Sequence, residues 1–125
     1  MRRILVLEDD LQRITKFKQN FIGSHTLIVV TAQEAIVALS SQEWDWLFLD
    51  HDLGGKIMVE SGPGTGYEVA CFLEGNPDKK PGVIFVHSFN PSGTDRIVAA
   101  LPEVIRLPSA WDYEISKIEE KLRGD

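Results

Sequence analysis

Trp46-Leu47-Phe48-Leu49-Asp50-His51-Asp52-Leu53-Gly54 joins four consecutive apolar residues to two carboxylates, an imidazole and then a glycine. A continuous apolar run this short reads as a strand buried on both faces, which is the habit of a parallel sheet. The polar residues follow at its carboxyl end, where open α/β sheets bind their ligands. The arrangement recurs twice: Ile4-Leu5-Val6-Leu7 runs into Glu8-Asp9-Asp10, and Val83-Ile84-Phe85-Val86 into His87-Ser88-Phe89-Asn90. Three strand ends therefore converge on one acidic, histidine-bearing rim.

Between these strands the apolar period changes to that of a helix. Leu11, Ile14, Phe17, Phe21 and Ile22 follow the first strand at helical spacing, and Gly23-Ser24 breaks the helix they form. Thr26 to Val30 is a β-branched strand, and Ala32, Ala35, Ile36 and Leu39 mark a second helix capped near Thr31. After a long loop, Tyr67 to Leu73 forms a short helix that Gly75-Asn76-Pro77 ends. Ser92 or Thr94 caps a helix running through Leu101, Val104 to Leu107 is a fifth strand, and Trp111, Ile115, Ile118 and Leu122 form a last helical stripe. Strands alternating with helices need crossover connections. The expected fold is therefore an α/β, flavodoxin-like (βα)5 doubly wound parallel sheet in the order 2-1-3-4-5.

The chain has 125 residues, 43% of them hydrophobic, enough for one core, and we expect a single domain over residues 1–125. A formal charge of −6 argues against a basic footprint for duplex nucleic acid and against an anionic membrane surface. The apolar runs are strand-length and no cleavable leader follows Met1, so a cytoplasmic location is expected. The single cysteine, Cys71, sits among Val69, Ala70, Phe72 and Leu73 and reads as a buried thiol. His25 opens the second strand at the opposite rim and reads as a surface residue; Trp44, Trp46 and Trp111 read as packing aromatics. Glu114, Lys117, Glu119, Glu120 and Lys121 read as a solvated helix face.

Carboxylates from adjacent strand ends, Asp9 or Asp10 with Asp50, repel one another unless a proton or a cation intervenes. Asp9, Asp10, Asp50 and Asp52 form the pool of ligands for a divalent metal. Hard oxygen donors favour Mg²⁺, Mn²⁺ or Ca²⁺, Mg²⁺ or Mn²⁺ first, and imidazole donors shift the preference toward Mn²⁺, Fe²⁺ or Zn²⁺. His87 is the first candidate for general acid or base, with His51 assisting or coordinating. Ser88, Asn90, Gly93 and Thr94 are candidate contacts to phosphate, because Asn90-Pro91-Ser92-Gly93-Thr94 leads into a helix whose first amides point to the rim. Arg96 follows in the first turn. Gly62-Pro63-Gly64-Thr65-Gly66 reads as a connector, or as part of a lid carrying Lys56.

The whole chain resembles a response-regulator receiver domain in its acidic pair after the first strand (Asp9, Asp10), the aspartate ending the third (Asp50) and Thr31-Ala32 at the second helix. It departs from ordinary receivers where Leu107 precedes Pro108, since they carry a lysine there, and in the length of the loop from Leu53 to Gly66. Asp50-His51-Asp52-Leu53-Gly54 and His87-Ser88-Phe89-Asn90-Pro91-x-Gly93 are similar to the cyclic-phosphate-processing receiver family, which accounts for both histidines and Asn90. That resemblance implies a metal-dependent phosphoesterase acting on a small cyclic phosphate, a cyclic nucleotide or an ADP-ribose cyclic phosphate, with water as nucleophile. The competing readings are a receiver phosphorylated on Asp50 in a phosphorelay, and a noncatalytic sensor of a phosphorylated ligand or protein-interaction module.

Overall fold

A computed structural model describes residues 2–53, 60–88, 90–107 and 115–124. Five strands, β1 (Arg3–Leu7), β2 (His25–Val29), β3 (Trp46–Leu49), β4 (Val83–Val86) and β5 (Ile105–Arg106), pair in parallel in the order β2-β1-β3-β4-β5. Leu7 lies level with Leu49, and Leu49 with Val86, so Glu8, Asp50 and His87 leave the three central strands at one height. The helices are α1 (Leu11–Asn20), α2 (Ala32–Ser41), α3 (Gly66–Gly75), α4 (Pro91–Ala100) and α5 (Ile115–Leu122), with a 3₁₀ turn at Pro77–Lys79. None of these helices is long and apolar enough to cross a membrane.

Strand alternation divides the core in two. Ile4, Val6, Trp46, Phe48 and Phe85 pack with Phe17 of α1 and Ile118 of α5. Leu5, Leu7, Leu47, Leu49, Ile84 and Val86 pack with α2, α3 and α4 through Ala35, Leu39, Val69, Ala70, Leu73 and Ile97. On the first face Phe48 and Phe85 stack at 4.7 Å, and Phe17 meets Phe48 edge-on at 5.2 Å.

Local chemistry sets the helix starts. Thr31 caps α2 as expected: its hydroxyl accepts from the Glu34 amide, while Glu34 reaches back to the Val30 amide and the Thr31 hydroxyl. For α4 the expected caps, Ser92 or Thr94, are wrong. Asn90 caps it, its Oδ1 accepting from the Gly93 amide at 2.9 Å, which lets Pro91 take the first helical position. Cys71 is also a correction, being exposed. The buried stripe of α3 is Gly66, Val69, Ala70 and Leu73, and Cys71 falls outside that spacing despite its apolar neighbours in sequence. His25 is exposed, with its ring against Trp44. Trp44 and Trp46 are buried, and Arg2 lies over the Trp46 ring. Trp111, Glu114 and Lys56 lie outside the described residues.

Candidate functional site

The same alternation that divides the core divides the polar rim. Glu8 continues the parity of Ile4 and Val6, Asp50 that of Trp46 and Phe48, and His87 that of Phe85, so these three side chains meet on the α1 face. All three are buried. Glu8 Oε1 accepts from His87 Nε2 at 2.9 Å, and Glu8 Oε2 accepts from the amides of Asp9 and Asp10 at 3.1 and 3.0 Å. Arg13, one turn into α1, lays its guanidinium across the pair, Nε 2.8 Å from Glu8 Oε1 and Nη2 3.4 Å from Asp50 Oδ2.

Their electrostatics diverge. Burial alone raises a carboxyl pKa, but at Glu8 the hydrogen bond and charge of His87, the Asp10 amide and Arg13 outweigh it and hold the group at about 2. At Asp50 burial and the negative charge of Glu8 prevail over Arg13 and push the carboxyl up to about 8. Without a cation beyond Arg13, the two carboxyls therefore hold one proton at neutral pH, on Asp50. Glu8, Asp9 and Asp50 each offer one oxygen, and the three oxygens lie within 4.8 Å of one another. That hard, acidic donor set fits a divalent ion such as Mg²⁺ or Mn²⁺, which would replace the proton that Asp50 otherwise holds.

His51 and Asp52 belong to a different cluster. His51 follows the parity of Leu49, and its ring lies on α4 at Gly93, where a Cβ would overlap the imidazole. Its Nδ1 is 2.7 Å from Asp52 Oδ1, and its Nε2 is 2.8 Å from Ser61 Oγ. Asp52 Oδ1 also accepts from Asn90 Nδ2 at 3.1 Å, so one asparagine caps α4 and holds the carboxylate. The turn after Ser61 is tied down: Thr65 Oγ1 donates to the Gly62 carbonyl, and the Gly66 amide donates to the His51 carbonyl at 2.9 Å. A Cβ at Gly66 would overlap the Asp50 carbonyl, so the α3 start and the β3 end approach as closely as only glycine permits.

The ten residues singled out from the sequence thus fall into separate places. Asp9, Asp50 and His87 lie with the acidic centre, and His51, Asp52, Asn90 and Gly93 with the imidazole relay on the opposite side. Asp10 is exposed and outside the carboxylate group; it caps α1 by accepting from the Arg13 amide at 3.0 Å. Asp52 stands apart from that group too, since its carboxylate is engaged by His51 and Asn90. Ser88 Oγ accepts from the Asn90 amide, and Thr94 is buried in the first turn of α4. Leu107 packs in the aromatic core beneath the rim. The sequence reading names Glu8 in the acidic run after the first strand but not among the candidate ligands, and it singles out neither Arg13 nor Ser61. Strand parity with Val6 was the available signal for Glu8; nothing local marks Ser61, which is brought to His51 across the loop.

Among solved structures the chain is similar to a CheY-like receiver domain protein from Methanospirillum hungatei JF-1 (19% identity, TM-score 0.71, covering 99% of this chain and 95% of that one). It is also similar to the signal receiver domain of a histidine kinase from Syntrophus aciditrophicus (18% identity, TM-score 0.72, 98% and 89%). A third is the Mn²⁺-bound form of the response regulator Rcp1 (18% identity, TM-score 0.68, 99% and 91%). No curated protein shows significant sequence similarity to the chain. At these identities the structures establish the receiver fold, which the strand order and the five helices also show. Residues 4–103 match the sequence family described as the cyclic-phosphate processing receiver domain, and the chain belongs to that family.

Proposed function

We propose that the protein is a metal-dependent phosphoesterase acting on a small cyclic phosphate, a cyclic nucleotide or an ADP-ribose cyclic phosphate. The observation that carries this reading is the meeting of Glu8, Asp9 and Asp50 at the carboxyl rim, in a chain of the cyclic-phosphate processing family. The Mn²⁺-bound form of Rcp1 is a precedent for a metal on this fold. Glu8, Asp9 and Asp50 would hold Mg²⁺ or Mn²⁺, and such an ion supplies Lewis acidity toward a phosphoryl oxygen and a more acidic bound water.

The chain's own residues prepare that centre. Arg13 offsets the charge of Glu8 and Asp50 and brings a guanidinium to the rim at which a phosphate would bind. His87 is buried, with its Nε2 on Glu8 and its ring edge-on to Phe17. In this reading it orients Glu8, which moves it from the expected role of proton carrier to that of a positioning residue.

The test is release of linear phosphate from 2′,3′-cyclic nucleotides and ADP-ribose cyclic phosphate with Mg²⁺ or Mn²⁺. Turnover should vanish with chelator and fall by about 10²-fold or more in Asp50→Asn. Binding of a cyclic phosphate with no linear product under any of these metals would overturn the enzyme reading and make the domain a sensor.

A further inference from the structure

We propose that Ser61 is a nucleophile activated by the Asp52–His51 pair, forming a second reactive centre on the side of the sheet away from the acidic one, and that it reacts with phosphate esters. Asp52 Oδ1 lies 2.7 Å from His51 Nδ1, and Ser61 Oγ lies 2.8 Å from His51 Nε2. With Asp52 ionised its Oδ1 only accepts, which assigns the imidazole proton to Nδ1 and turns the Nε2 lone pair to the serine hydroxyl, while Asn90 Nδ2, 3.3 Å from Nδ1, donates to Asp52 Oδ1. This is the chain of contacts by which a carboxylate orients an imidazole and the imidazole deprotonates a hydroxyl. The ring is buried and seated on Gly93, while Asn90 fixes the carboxylate, so the base has one orientation.

Ser61 is partly exposed and opens onto a cleft of about 430 Å³ lined by Glu60, Ser61, Ser92, Gly93 and Arg96. Arg96 lines the same cleft and offers it a guanidinium, set against the carboxylate of Glu60, so an anionic ester has a cation to pair with there. In the reaction a bond forms between Ser61 Oγ and phosphorus as the hydroxyl proton passes to His51 Nε2. The bond from phosphorus to the leaving oxygen breaks, and that oxygen takes the proton. Water then attacks phosphorus and gives a proton to His51, and Ser61 Oγ departs and recovers it; the net change is one water added across a P–O bond.

A fluorophosphonate ester tests this directly, because serine attack expels fluoride and leaves a stable phosphonyl adduct. Mass spectrometry of protein labelled in excess chelator should find one adduct per chain, on Ser61, whatever the fate of the metal-dependent activity. Ser61→Ala should abolish it, and Asp52→Asn should slow it by about 10²-fold or more. Inorganic phosphate should protect the wild-type chain but not Arg96→Ala. An unlabelled wild-type chain, an adduct elsewhere, or labelling that phosphate does not slow would each overturn the assignment.

Discussion

Glu8 and Asp50 are two carboxyls with opposite fates, and the difference lies in who donates to them. Glu8 receives His87, Arg13 and two backbone amides, whereas Asp50 faces Glu8 itself, with Arg13 the cation beside it among the described residues. The consequence for stability is a pH dependence of mixed sign. Asp50, raised from 3.8 to about 8, keeps in the folded chain a proton that the unfolded chain has lost. Stability therefore falls as pH rises through that window, by up to about 1.4 kcal/mol per pH unit for one proton. Glu8, lowered from 4.5 to about 2, contributes stability that is lost as pH drops from 4.5 toward 2. With chelator present, urea unfolding should show greatest stability near pH 4 to 5, and Asp50→Asn should flatten the decline between pH 5 and 8. A variant curve parallel to wild type would mean that Asp50 is ionised in the folded protein.

Elements were readable where a single period governs them. The four-residue runs of β3 and β4 have the expected bounds, and Thr31 caps α2, because burial on both faces and a capping box are local properties. The rim was less readable. The sequence places Asp50 next to His51, but strand alternation sends them to opposite faces, and the partner of each comes from a distant segment: Glu8 and Arg13 for one, Ser61 for the other. The α4 cap differs from expectation because Asn90, read from the sequence as a phosphate contact, commits its side-chain oxygen to the Gly93 amide and its side-chain amide to Asp52. Asn90→Ala removes both bonds, leaving an uncapped helix and a buried carboxylate short of a donor. It should cost about 2 kcal/mol in urea unfolding. A loss below about 0.5 kcal/mol would show that α4 and Asp52 do not depend on it.

Across the molecule, the sheet separates an acidic centre beside α1 from an imidazole relay beside α4, while the strand order sets both at the carboxyl rim. The receiver fold shared with phosphoaccepting regulators makes phosphorylation of Asp50 the natural rival to a hydrolytic role, and the two make different demands on that carboxyl. A phosphoacceptor must be an accessible carboxylate with a cation ready for the new phosphate. Here Asp50 is 2% exposed, and the Arg13 guanidinium beside it is already shared with Glu8. Leu107, an apolar core residue, occupies the position before Pro108 where the resemblance to ordinary receivers calls for a lysine. Acetyl phosphate or phosphoramidate with Mg²⁺ should therefore leave no stable acyl phosphate on Asp50. The chemistry of any label tells the two centres apart, since an aspartyl phosphate is cleaved by hydroxylamine and a phosphoserine at Ser61 is not. Stoichiometric, hydroxylamine-sensitive labelling that disappears in Asp50→Asn would establish the phosphorelay reading in place of the hydrolytic one.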